Sequence, residues 1–273
     1  MTSAPGVVRV AAGQAVAVSG DVAANVATAV RLVGLAASRG VRLLLLPEAF
    51  LTGYDEAAFA GTIPSADDLD GGWLTPLRDA AASARMVVVV STPLQRGELR
   101  RLAMLVIGPD GAVTAPYDKQ HVDSDEAAYF SDGTCGASIV VDGLELGLSI
   151  CYDSSFPEHA RDAAAGGAVG YLNSAAFFPG SAHRRDLALA ARALDNGMYV
   201  VLAAATGACG EHRFVGGSAV FDPEGRPLAR LGEEEGLAVA DLDPAVVADT
   251  RAARTMHADR RDLGTRPPAR LTS

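Results

Sequence analysis

The chain has 273 residues, 49% of them apolar, and a formal net charge of −10. That length suits one large α/β unit with a substantial core, and the acidic balance argues against nucleic acid, whose binding needs clustered Lys and Arg. No apolar run approaches the roughly 18–20 residues that span a bilayer, so no membrane segment is expected. Cys135, Cys151 and Cys209 are too few and scattered for a disulfide framework or paired zinc ligands. The N-terminal MTSAPGVVRVAAGQ lacks a basic region followed by an apolar stretch, and a cytoplasmic protein is expected.

Short β-branched runs alternate with longer Ala-rich stretches, which predicts strands interleaved with helices. Asp21 caps a helix through ANVATAVRLVGLAASR, with Val26, Val30, Val33 and Leu35 near helical spacing and Gly40 ending it. The buried strand VRLLLL follows, then a helix over 72–85 leading into MVVVVS. Strands at 102–107 and 112–115 flank the turn Pro109-Asp110-Gly111, and strands at 137–141 and 144–150 are joined by Asp142-Gly143, a two-residue hairpin signal. Beyond Cys151 the pattern predicts a helix at 157–165, a strand at 169–172, a helix at 182–196 and a strand at 198–203. A hairpin around Asp222-Pro223-Glu224-Gly225 and a last strand at 237–240 complete the set. With no linker or repeat, residues 1–273 are expected to form one domain, with 243–273, rich in Arg and Pro, as an extended C-terminal arm.

Of the 23 basic residues, Lys119 is the one lysine. Arg and Lys are interchangeable on a solvated surface but not in a site, where Lys offers a compact charge with rotatable donors. Glu48, Lys119 and Cys151 each directly follow a predicted strand, where α/β sheets form ligand sites. Together a thiol, a carboxylate and an amine meet the needs of amide hydrolysis. A thiol with pKa about 8.5 is mostly protonated near neutrality, a carboxylate can take its proton, and an ammonium can stabilise the oxyanion. Lys119 would also offset the cost of burying Glu48.

The words around these residues, LLLLPEAFLTGY, YDKQHV and ICYDSSFPE, occur in the order found in the nitrilase, or carbon-nitrogen hydrolase, superfamily, which this chain resembles. The resemblance runs from about Val8 to Asp262 and includes ARALDN at 191–196, FVGGSAVFDPEG at 214–225 and ADRR at 258–261. It implies a four-layer α-β-β-α sandwich, with Glu48 as general base, Lys119 as transition-state stabiliser and Cys151 as nucleophile. Glu126, Phe130 and Gly133 match a family pattern E-x-x-x-F-x-x-G, so Glu126 would orient Lys119 or contact substrate. The backbone N–H of Tyr152 would complete the oxyanion hole, and Asp153 and Glu158 would hold the nucleophile loop and the helix after it. The segment YLNSAAFF and Ala204 depart from the family's usual residues around the pocket.

The implied activity is hydrolysis of a small amide with release of ammonia through a Cys151 thioester, without metal or organic cofactor. CYD and FLTGYD point to the amidase branch. The alternatives are an N-carbamoyl amidohydrolase, a nitrilase, and an idle member kept as a binding or scaffold protein. A homodimer or higher even oligomer pairing through helical faces is expected. Cys209 and His212 with Cys135 make a poor metal motif, and a Cys151–His121 dyad is unnecessary if Glu48 is the base. Loops 123–135, 173–185 and 205–213 should shape the pocket, and His183, Arg184 and Arg185 are candidate contacts to an anionic substrate or an oligomer partner.

Overall fold

The run Leu43-Leu44-Leu45-Leu46 has no polar face, because both of its faces are covered. Leu43 and Leu45 point between two sheets, while Leu44 and Leu46 point into a helical layer. In the computed structural model, which describes residues 6–261, this alternation repeats across a four-layer α-β-β-α sandwich.

The first sheet contains β1 (Val8–Gln14), β2 (Leu43–Leu45), β3 (Val87–Arg96), β4 (Leu99–Ile107) and β5 (Val113–Asp118), side by side in chain order. β1, β2 and β3 are parallel, and β4 and β5 continue antiparallel. The second sheet contains β6 (Ser138–Val141), β7 (Leu144–Ile150), β8 (Gly170–Ala175) and β9 (Tyr199–Ala204), with β7, β8 and β9 parallel. A separate hairpin, β10 (Thr206–Cys209) and β11 (His212–Val215), precedes the sheet's other edge, β12 (Ala219–Phe221) and β13 (Pro227–Arg230). The chain then returns to the first sheet as β14 (Gly236–Leu242), antiparallel to β1.

Helices α1 (Val22–Ala37) and α3 (Thr75–Ala84) cover the outer face of the first sheet, with the one-turn α2 (Glu56–Ala60) between them in sequence. α4 (Pro157–Ala165) and α5 (Ala182–Asn196) cover the second sheet, over the residues their patterns predicted. Asp21 caps α1 as expected, accepting from Ala24 N at 2.9 Å. The buried stripe of α1 is Val26, Ala29, Leu32, Val33 and Ala36, whereas Val30 and Leu35 lie at its margin. Small alanines let this helix sit close to the sheet, and they carry no hydropathy signal. α3 begins at Thr75 rather than at residue 72, with Pro76 in its first turn, where its missing N–H is harmless.

One expectation needs correction: the segment after Asp243 is not extended throughout. Residues Pro244–Ala253 form α6, capped by Asp243 and opened by Pro244. The helix docks through Val247, and Arg251 donates to the carbonyls of Ala168, Asn196 and Gly197. The rest of the proposed arm, 262–273, lies outside the described residues.

Candidate active site

Glu48, Lys119 and Cys151 converge because the sandwich places the ends of β2, β5 and β7 together. The loop after β2 is pinned where Ala49, in the left-handed region at φ 48°, donates its N–H to Ser91 Oγ on β3 at 3.2 Å. Lys119 leaves β5 with its N–H on the Leu102 carbonyl at 2.7 Å and its own carbonyl accepting from Gly133 N at 2.7 Å. A Cβ on Gly133 would stand 2.2 Å from the Asp118 carbonyl oxygen. The closing glycine of the E-x-x-x-F-x-x-G pattern is therefore needed for this close backbone approach. Its Phe130 is buried edge-on against Phe59, centroids 5.0 Å apart, and fixes the turn that carries Glu126.

Cys151 also has left-handed backbone, φ 43°, at the start of a 3-10 turn over Cys151–Ser155. Such a conformation costs about 1–3 kcal/mol and persists when its surroundings over-determine it. Asp153 does so here, as a fully buried carboxylate that accepts four bonds. Its Oδ2 takes Ile150 N at 2.9 Å and the Tyr117 hydroxyl at 2.6 Å, and its Oδ1 takes the backbone N–H and the Nδ1–H of His121, both at 2.9 Å. Since Tyr117 gives its proton to Asp153, it accepts from His159 Nε2 at 2.8 Å, leaving His159 Nδ1 to accept from Tyr171 at 2.9 Å. A neutral imidazole satisfies both bonds, and burial holds the His159 pKa below its ordinary value. One network thus ties the Cys151 turn to the strand end bearing Lys119.

At the centre, Lys119 Nζ lies 2.8 Å from Glu48 Oε1 and 2.7 and 2.6 Å from the two Glu126 oxygens, all three side chains being buried. The glutamates are not equivalent. Glu126 is fully engaged: Oε1 also accepts from the Tyr54 hydroxyl at 2.6 Å, and Oε2 from Asp123 N at 2.9 Å. Glu48 Oε2 is buried and has no hydrogen-bond partner among the described residues.

The electrostatics follow this asymmetry. Burial pushes the Glu48 carboxyl up to about 8, opposed by Lys119 and assisted by Glu126. Burial works against the Lys119 ammonium, but Glu48 and Glu126 outweigh it and hold the pKa above the ordinary lysine value. Burial, then the Glu48 charge, raise the Cys151 thiol well above its usual range. The thiol therefore keeps its proton until a base removes it. Its Sγ donates to the Ala176 carbonyl at 3.6 Å.

Cys151, Lys119 and Glu126 line a cavity of about 660 Å³ whose aromatic wall includes Tyr54, Phe59 and Phe178. Tyr152 lines it as well, and no acceptor pairs with the Tyr152 N–H among the described residues. The cavity is bounded by parts of the three predicted loops, although residues 206–215 form the β10–β11 hairpin rather than a loop. Arg184 and Arg185 also line it, whereas His121 does not: it stacks on Phe156, ring centroids 3.8 Å apart, and serves Asp153. His212 pairs with Glu56 at 3.1 Å, Cys209 is buried and Cys135 exposed. Tyr54 was visible in LTGY only as part of a word. Its bond to Glu126 spans 72 positions, and no local pattern announces it.

This sandwich, with a buried Glu-Lys-Glu cluster beside a cysteine on a strained turn, defines a carbon-nitrogen hydrolase. The chain belongs to the carbon-nitrogen hydrolase family, whose model matches residues 9–252. It is an enzyme of the amidase-like branch of the nitrilase superfamily. Among its relatives is a 2-oxoglutaramate amidase of Bacillus subtilis (strain 168), 31% identical over 83% of this chain and 88% of the relative. A nitrilase of Pyrococcus abyssi is 31% identical over 83% of this chain and 86% of its own. A solved Glu-to-Gln mutant of the amidase from Nesterenkonia sp. AN1, with the acetamide moiety of fluoroacetamide added covalently at the active-site cysteine, superposes with a TM-score of 0.81. It is 31% identical, over 95% of this chain and 98% of that one. No helix of the described residues is long and apolar enough to cross a membrane.

Proposed function

We propose that the protein hydrolyses the C–N bond of a small amide through a thioester on Cys151, with Glu48 as general base and acid. The observation that carries this reading is the unpartnered Glu48 Oε2, the one carboxylate oxygen of the cluster free to take a proton. Sγ attacks the amide carbonyl carbon as its proton passes to Glu48. The Lys119 charge and the Tyr152 N–H stabilise the oxyanion, and Glu126, saturated by four hydrogen bonds, holds Lys119 in place. Glu48 then gives the proton to the leaving nitrogen, and ammonia departs as the C–N bond breaks. Water, deprotonated by Glu48, attacks the thioester carbonyl; the carboxylic acid leaves and the thiol recovers its proton. Each step uses protein groups and water alone.

Ammonia release from a panel of amides, N-carbamoyl amines and nitriles tests the reading. Amides should be turned over fastest, and turnover should vanish in Cys151→Ala. Faster release from nitriles would favour the second reading, which the nitrilase relative supports. Absence of Cys151-dependent ammonia from every compound would favour a binding or scaffold role.

The elevated Glu48 pKa gives a pH signature. The base must be ionised to act, so kcat/KM should climb with pH to a midpoint near 8 and level off above it. An ordinary glutamate, with pKa about 4.3, would give a plateau already complete near neutrality. Initial rates at fixed ionic strength separate the two curves.

We further propose, from the family resemblance, a cytoplasmic homodimer or higher even oligomer, paired through its helical faces. Leu187 and Leu194 on α5, 63% and 38% exposed, support such a face, and sedimentation velocity reads the assembly directly.

A further inference from the structure

Glu48 and Cys151 stand on different sheets, Glu48 after β2 of the first and Cys151 after β7 of the second. Each belongs to a turn with a left-handed residue, Ala49 at φ 48° and Cys151 at φ 43°, and such turns persist only where their surroundings hold them. Ser91 holds the first turn to its own sheet. Asp153 ties the second to β5, the strand that delivers Lys119, through Tyr117. The end of β2 must be registered against the nucleophile separately, because a misplacement of about 1 Å can cost on the order of a hundredfold in rate.

Ser174 makes that connection. Side chains alternate along β8, where Tyr171 packs under the helices and Leu172 between the sheets, so Ser174, on the same face as Leu172, also points between the sheets. There its Oγ donates at 2.6 Å to the carbonyl of Leu46, 128 positions away in sequence and just ahead of Pro47 and Glu48. The hydroxyl is fully buried in an otherwise leucine- and valine-rich layer, where an unpaired polar group would be costly. The strand that carries it also faces the nucleophile. Ser174 is in register with Ile150, the residue before Cys151, and nearby Ala176 presents the carbonyl that accepts from Sγ. One hydroxyl therefore joins the segment beside the nucleophile to the segment that bears the base. Ser174 does not line the cavity, which leaves it no contact with substrate.

We infer that Ser174 is a positioning residue for the reaction, its hydrogen bond to the Leu46 carbonyl setting the placement of Glu48 relative to the Cys151 thiol. This rests on the general-base reading above and deepens it. Without the bond the sheets still pack through their apolar faces, but the end of β2 relaxes away from the thiol.

The test measures kcat and KM for an amide that the wild type turns over, and the rate at which iodoacetamide alkylates Cys151, read by mass mapping of its peptide. Alkylation forms the S–C bond, releases iodide and passes the thiol proton to Glu48, so it reports the base without the oxyanion. In Ser174→Ala, kcat and the alkylation rate should both fall about tenfold, a fraction of the cost of a full displacement, while KM stays unchanged. Ser174→Thr keeps the hydroxyl and should recover most of both rates. Ser218 is an equally buried serine that accepts from the Ala204 N–H at 2.9 Å; Ser218→Ala should melt earlier and keep both rates. Four results would each overturn the inference and leave amide hydrolysis standing: kcat unmoved in Ser174→Ala, alkylation there as fast as in the wild type or faster (the mark of a loosened, more exposed thiol), no recovery in Ser174→Thr, or an equal loss in Ser218→Ala. Undiminished alkylation and turnover in Glu48→Gln would overturn the general-base reading and this inference with it.

Discussion

Glu48→Gln should leave a folded protein whose amide turnover is about a thousandfold lower or worse, within the range a positioned general base contributes. The substitution is nearly isosteric, and Lys119 keeps both oxygens of Glu126 as partners, so little packing is lost. What disappears is the free Oε2, and the Cys151 thiol, held above its usual pKa, then has no base to take its proton. A preformed thiolate would not need Glu48, so the size of the loss separates general-base attack from thiolate attack. Ammonia release checks the rate, and thermal unfolding checks that the fold survives. Retention of more than a tenth of the wild-type rate would move the base elsewhere.

Lys119→Arg keeps the charge and should still lose about a hundredfold or more in kcat, the cost seen when one oxyanion donor is removed. Nζ sits between two carboxylates at 2.6–2.8 Å with the side chain 1% exposed. A planar fork has no room there, and overpacking a well-filled site costs typically about 1–3 kcal/mol. The variant should melt at a lower temperature and remain folded under assay conditions. Near-normal turnover would reduce the lone lysine of this sequence to an accident of composition.

How far these features could be read from the chain depends on how local their causes are. The central strands were legible because a strand buried on both faces is an unbroken apolar run, as in Leu43-Leu44-Leu45-Leu46. The α4 and α5 boundaries were legible from Pro157 at one start and Gly197 at one end, residues that act within a single turn. The buried face of α1 is only partly legible because its contacts fall on Ala29 and Ala36 as much as on valine and leucine. The β10–β11 hairpin has little sequence signal because it joins neither large sheet and its glycines break any alternation. For α6, Asp243 and Pro244 were a sound cap signal, obscured by the Arg- and Pro-rich composition around it.

In the candidate site, Glu48, Lys119 and Cys151 could be named from their positions after strands together with the surrounding words. Their division of labour could not. Glu126 and Glu48 are both glutamates in recognisable motifs, and only the four hydrogen bonds donated to one and the bare oxygen of the other tell a holder from a base. Those donors come from Tyr54, Lys119 and the Asp123 backbone, brought together by the two-sheet topology rather than by spacing along the chain.

The central claim is that Cys151 carries the acyl group between two proton transfers by Glu48. Peptide mass mapping of wild-type enzyme, acid-quenched during turnover of an amide, addresses it most directly. The account predicts that the Cys151 peptide gains the mass of the substrate less ammonia, that the adduct decays when substrate is exhausted, and that it fails to form in Glu48→Gln. A Cys151 peptide left unmodified while the acyl group sits on Cys135, Cys209 or another residue would contradict it.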